Sequence, residues 1–163
     1  MSKQRITLER SYQAELQDVW DLWTTKEGIE SWWGPEGFRV EVKQLDLRPE
    51  GELHYEMIAE GADQIAFMKQ AGMPLRTLTK IRYREIVPMV RLAYLNEVDF
   101  VPGHAAYDVA TVVELKRRGE MVDMTLTLDP MHDEIWTQRA AMGWESELGK
   151  LAKVLARGRT RPE

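Results

Sequence analysis

Chemistry in this chain would have to rest on three histidines, His54, His104 and His132, and on carboxylates set beside apolar residues. His54 alternates with Leu53 and Tyr55, so a strand would turn it away from the face they share. His104 stands in Pro102-Gly103-His104, a turn between strands, where an imidazole could move protons near neutral pH. His132-Asp133-Glu134 opens a helix, and acidic residues there answer the positive end of its dipole without any metal. Asp99 lies between Val98 and Phe100, and Asp108 between Tyr107 and Val109. Burial beside such neighbours would raise a carboxyl into the range useful for acid–base work, whereas strand alternation would turn it out into water. Glu85 and His132 complete the acid–base candidates. No HExxH or comparable spacing occurs, and Gly34-Pro35-Glu36-Gly37 does not lead from a strand into a helix as a dinucleotide fingerprint does. No serine has a nucleophile-elbow context. Neither a metal nor any other cofactor is expected.

The composition narrows the field further. The absence of cysteine excludes thiol nucleophiles, disulfides and cysteine-ligated zinc or iron–sulfur sites. With 22 Lys plus Arg against 27 Asp plus Glu, the net charge of −5 argues against nucleic-acid binding, which draws most of its affinity from phosphate neutralisation. No apolar run of about 18 residues is present, so no membrane span is expected. Met1-Ser2-Lys3-Gln4-Arg5 lacks the apolar stretch of a secretory signal, which predicts a cytoplasmic protein. Six tryptophans, four of them between Trp20 and Trp33, imply a dense core corner or the wall of an apolar pocket.

The elements that must position these residues follow from hydrophobic periodicity. Ile6 to Tyr12 alternates as a half-buried strand. Ala14 to Thr24 switches to helical spacing through Leu16, Val19, Trp20 and Trp23, and a short helix from Lys26 to Trp32 should stop before Gly34-Pro35. Period two returns at Phe38, and strands are predicted over 52–59, 77–86, 90–98, 107–116 and 121–128. Ile65 and Met68 give the segment 62–74 a helical side between two strands, ended by Gly72 and Pro74. Asp129-Pro130 reads as a helix cap followed by proline at the first helical position. The helix from Met131 to about Arg157 would carry the stripe Trp136, Ala140, Trp144, Leu148, Leu151 and Leu155. At 163 residues, one domain over 1–157 with a polar tail at 158–163 is expected. The natural packing is an α+β fold, a curved antiparallel sheet of about six to seven strands around the long C-terminal helix.

Several motifs occur in an order that resembles a known family. They are Val19-Trp20-Asp21-Leu22-Trp23-Thr24, Trp32-Trp33-Gly34-Pro35-Glu36-Gly37-Phe38, and Asp46-Leu47-Arg48-Pro49-Glu50-Gly51-Glu52-Leu53. Tyr83-Arg84-Glu85-Ile86-Val87-Pro88 with Arg91-Leu92, and Gly143-Trp144-Glu145-Ser146-Glu147-Leu148, complete the set. Together they resemble the START-like (SRPBCC) superfamily with its helix-grip fold, and more narrowly the bacterial proteins related to the C-terminal domain of the heat-shock protein 90 ATPase activator. The resemblance implies a cavity between sheet and helix rather than one reaction, because members include hydrophobic-ligand carriers, cyclases and dehydratases, and hormone receptors. It also implies that chaperone activation is not to be expected of this chain, which does not contain the separate N-terminal domain of the full co-chaperone.

The expected function is therefore binding of a small, largely hydrophobic molecule. The expected lining combines Trp32 and Trp33, Phe67, Met68 and Met73 of the insert, Tyr83 and Tyr94 of the strands, and Trp136, Ala140 and Met142 of the long helix, with Asp99 or His104 fixing orientation. A cofactor-independent cyclase or dehydratase using His104 or Asp99 is the second reading. A chaperone-associated module or a homodimer is the third.

Overall fold

The structure, a computed structural model, describes residues 5–99, 101 and 103–159. Strand β1 (Ile6–Gln13) leads into α1 (Leu16–Thr24) and α2 (Lys26–Trp32). Strands β2 (Phe38–Leu45) and β3 (Glu52–Ala59) follow, then α3 (Ala62–Gln70). The chain continues through β4 (Arg76–Val87), β5 (Arg91–Val98), β6 (Tyr107–Arg118) and β7 (Met121–Leu128) to α4 (Glu134–Arg159). The strands make one antiparallel sheet in the order β1-β7-β6-β5-β4-β3-β2, curved around α4 in the expected helix-grip arrangement. Of the expected polar tail, residues 158 and 159 continue α4, and 160–163 lie outside the described residues.

Register decides which side chains meet inside. Tyr55 faces Thr79, Tyr83 faces Tyr94, Tyr94 faces Thr111 and Leu92 faces Val113 across neighbouring strands. Because side chains alternate, each pair occupies one face, and Leu53, Tyr55, Ile81, Tyr83, Leu92 and Tyr94 are all buried there.

The corner between α1 and α2 closes one end of the core. Thr25 serves both helices: its hydroxyl donates to the Asp21 carbonyl at 2.8 Å and accepts from the Gly28 N–H at 3.0 Å. A Cβ on Gly28 would fall 2.2 Å from the Asp21 carbonyl oxygen, so only glycine allows this approach. Trp23 packs edge-on to Trp32 at 4.7 Å and stacks on Trp144 of α4 at 5.9 Å.

Helix α4 begins three residues later than Met131. Its cap is Asp133, whose carboxylate accepts the Trp136 N–H at 2.8 Å. Asp129 does not cap it. That residue directly follows β7 and is held against β6, where its carboxylate accepts from the Ala110 N–H at 3.1 Å and pairs with Arg5 at 3.1 Å. Met131 is buried before the helix starts, and this inward turn delays it.

The two halves of α4 pack differently. Leu148, Leu151 and Leu155 are buried, each contributing about 2 kcal/mol of apolar burial, while no residue from Glu134 to Glu147 is fully buried. The closest backbone approaches of α4 are to α2, β1 and α1. No helix is long and apolar enough to cross a membrane among the described residues.

Candidate functional site

Unusual side chains gather on the inner face of the central strands. A Cβ built on Gly143, which is half-buried on the inner side of α4, would meet nothing within 4 Å. Elsewhere, on the inner face of the sheet, are residues that would ordinarily be partnered. The buried side-chain atoms Trp33 Nε1, Tyr83 Oη and Asn96 Oδ1 make no hydrogen bond. An unmet buried donor or acceptor costs on the order of 1–3 kcal/mol.

Their proximity is direct. The Trp33 ring lies 5.3 Å from Tyr55 and 6.1 Å from Tyr94, and Tyr83 lies 6.4 Å from Tyr94. Asn96 follows on the same face of β5, opposite Ile81. Tyr12 Oη, on β1, is a further unpartnered buried hydroxyl, with its pKa raised to about 12 by burial.

Glu147 supplies the charge. It sits three residues after Trp144 and four before Leu151, on the inner stripe of α4, and is half-buried. One carboxylate oxygen accepts the Gly34 N–H at 2.8 Å. Burial pushes its pKa up to about 7, against the smaller opposing effects of the Gly34 N–H and the Lys150 ammonium. Burial is also the main reason that the Tyr55, Tyr83 and Tyr94 hydroxyls are raised above their ordinary value, with the negative charge of Glu147 adding to Tyr55 and Tyr94. At neutral pH the carboxyl is thus divided between its acid and its anion, able to donate or to accept a proton.

A short segment fixes both Trp33 and Glu147. Trp33 ends α2, and Gly34 and Gly37 take positive φ values of 88° and 89° to turn the chain into β2. Helix α4 grips this turn with successive side chains. Lys150 donates to the carbonyl oxygens of Gly34 at 2.8 Å, Phe38 at 3.2 Å and Trp33 at 3.5 Å, while Ser146 accepts the Glu36 N–H at 2.9 Å. Burial lowers the Lys150 pKa.

The expected lining residues separate into groups. Trp33, Tyr83 and Tyr94 are buried together at the interior site, and Trp136 and Ala140 lie half-buried on the open half of α4. Trp32 is buried in the helix corner, its Nε1 donating to the Leu22 carbonyl at 2.7 Å. Met68 is the buried residue of α3. Phe67, Met73 and Met142 are exposed at 64%, 42% and 72%, so their apolar surfaces face outward and are not brought to the interior. Asp99 and His104 are exposed as well. His104 stacks on His132 at 4.3 Å, and the Tyr107 hydroxyl meets His132 Nδ1 at 2.6 Å, forming an aromatic surface cluster ahead of α4.

Glu147, Tyr55 and Asn96 did not figure among the candidates. For Glu147 a signal existed, since a carboxylate interrupts the apolar stripe of the long helix. For Tyr55 and Asn96 only register brings the side chain to the site.

Two open clefts lie elsewhere. One of about 1370 Å³ runs between α1, the β6–β7 turn and the end of α4, and carries Glu15, Asp18, Asp21, Glu27 and Glu120. The other, about 480 Å³, lies beside Glu30, Glu60 and Lys150. Both are solvated and charged, and lack the unpartnered buried groups of the interior. No cluster of three or more metal-ligating side chains occurs among the described residues.

Comparison with known proteins agrees with the fold. The family model described as Activator of Hsp90 ATPase homolog 1-like protein matches residues 13–156. A protein from Chromobacterium violaceum is similar in structure, with a TM-score of 0.73 at 24% identity over 93% of this chain and 96% of its own. The AHSA1 protein of Silicibacter pomeroyi gives a TM-score of 0.74 at 19% identity, over 95% and 99%. DynU16, a protein of the dynemicin biosynthetic locus, gives 0.67 at 14% identity over 96% of this chain and 48% of its own. No curated protein matches the sequence.

Proposed function

The chain belongs to the family of Activator of Hsp90 ATPase homolog 1-like proteins, and on that footing we propose that it binds a small molecule between the sheet and the first half of α4. The ligand has an apolar body with polar groups on it, rather than being wholly hydrophobic. What supports this reading is the set of unpartnered buried atoms, Trp33 Nε1, Tyr83 Oη and Asn96 Oδ1, together with a first half of α4 in which no residue is fully buried. Aromatic walls desolvate the body, and the polar atoms recover hydrogen bonds when it enters.

The neutral dye N-phenyl-1-naphthylamine tests the site. Its emission should rise on binding, with quenching of tryptophan fluorescence, in the unmodified protein. Gly143→Leu fills the space and improves helix propensity, so it should fold and lose dye binding at least tenfold. Phe67→Ser and Met142→Ser, on exposed surface, should bind within twofold of the parent. Dye binding undiminished by Gly143→Leu, or none in the parent, would overturn the reading.

A second reading is proton transfer on the bound molecule, favoured by Glu147, whose pKa burial raises to about 7. Asp99 and His104, by contrast, are exposed. It requires turnover of a ligand found by the first experiment, abolished by Glu147→Gln.

A further inference from the structure

Tyr107, His132 and Asp133 form a chain of polar groups that the interior site does not use. Tyr107 opens β6, and Asp133 caps α4 with one of its carboxylate oxygens. The other oxygen lies 3.5 Å from His132 Nε2, which favours the imidazole tautomer with its proton on that nitrogen. Nδ1 is then bare, and the Tyr107 hydroxyl donates to it at 2.6 Å. The same phenol oxygen accepts the backbone N–H of His132 at 3.1 Å. A hydroxyl in hydrogen-bond contact with a base that a third group orients is the arrangement that activates a nucleophile.

The other four of the five tyrosines have no such base. The Tyr12 and Tyr83 hydroxyls make no hydrogen bond, those of Tyr55 and Tyr94 meet Thr79 and Thr111, and burial holds all four neutral. Tyr107 is instead partly exposed, with the exposed His104 ring 5.2 Å from its own and Trp136 5.9 Å from His132. Flat rings of this kind suit an uncharged aromatic group. A phenol also gives up its proton far more readily than an alcohol. When it does so here, the oxygen keeps two donors, the His132 backbone N–H and the new Nδ1–H.

We propose that Tyr107 is a nucleophile, with His132 as its base, that takes the acyl group of small uncharged aryl esters. As the phenol oxygen bonds to the ester carbonyl carbon, its proton passes to His132 Nδ1. The bond from that carbon to the aryl oxygen breaks, the aryloxide leaves, and His132 returns the proton to it or to water. The acyl group stays on Tyr107 Oη. The titratable groups facing His132 among the described residues are Tyr107 from β6, His104 from the segment before β6, and Asp133 at the cap of α4. This activity does not depend on the interior ligand site.

The test treats the unmodified protein with p-nitrophenyl acetate, following nitrophenolate release and locating acetyl groups by peptide mass spectrometry. One equivalent should be released in a fast phase, with the acetyl on Tyr107, removable by neutral hydroxylamine, and absent from the other tyrosines. Its rate should rise from pH 5 to pH 7.5, as an imidazole ordinarily loses its proton, and then level off. Tyr107→Phe should abolish the fast phase. His132→Gln should slow Tyr107 acetylation about a hundredfold at pH 7.5 and remove the plateau, whereas His54→Gln, on β3, should stay within twofold. Site mapping and pH profile on the unmodified protein decide the matter even if a variant does not fold. Acetyl groups on lysines or other tyrosines but not on Tyr107, a fast phase that survives Tyr107→Phe, or a rate climbing with hydroxide without a plateau overturns the proposal.

Discussion

Replacing Glu147 by glutamine should change how stability depends on pH, in a direction opposite to that of most carboxylates. Glutamine keeps the shape and leaves an amide oxygen to accept the Gly34 N–H. In the fold the carboxyl titrates at about 7 against an ordinary value of 4.5, because burial disfavours the anion. A raised value means that the folded protein holds the proton more tightly than the unfolded chain. The associated stability is fully present below about pH 4.5 and is lost as pH rises through 7. At about 1.36 kcal/mol for each tenfold change in proton affinity, this gap corresponds to about 3 kcal/mol. Urea unfolding followed by tryptophan fluorescence at several pH values measures it. The stability of Glu147→Gln relative to the parent should climb by about 3 kcal/mol from pH 4.5 to pH 8 and then level off. A difference constant to within about 0.5 kcal/mol over that range would show that Glu147 is solvated in the folded protein, and would refute the placement of an enclosed carboxyl in the interior.

Two further outcomes test the framework around the site. Asp133→Ala removes the cap of α4 and should lower stability by about 1 kcal/mol in thermal or urea unfolding, with Asp133→Asn restoring most of it. Gly28→Ala forces a Cβ against the Asp21 carbonyl, and should destabilise by about 2 kcal/mol and alter the near-ultraviolet dichroism of the packed Trp23 and Trp32.

Much of the architecture was legible because it depends on local periodicity. Alternation in Met121–Leu128 and the stop after Trp32 before Gly34-Pro35 correspond to the observed β7 and α2. These are consequences of side-chain spacing and backbone restriction within a few residues. The start of α4 was misread for an equally local reason. Asp129-Pro130 has the composition of a helix cap, yet Asp129 is held by Ala110 on the neighbouring strand, a partner nineteen positions away that no local pattern reveals.

The site divides along the same line. The sequence by itself determined that tryptophans would cluster near residues 20–33, that Tyr83 and Tyr94 would lie on strands, and that a long amphipathic helix would cover the sheet. Tertiary structure alone decided that Trp33 faces Tyr55 and Tyr94 while Trp32 turns to Leu22, and that Phe67 and Met142 look outward. It also decided that burial raises the Glu147 pKa above that of an ordinary helix carboxylate. The physical reason is that hydropathy records what a side chain prefers. Whether its polar atoms are partnered, and whether its charge is enclosed, depends on groups brought from β3, β5 and the 33–38 turn by register and packing.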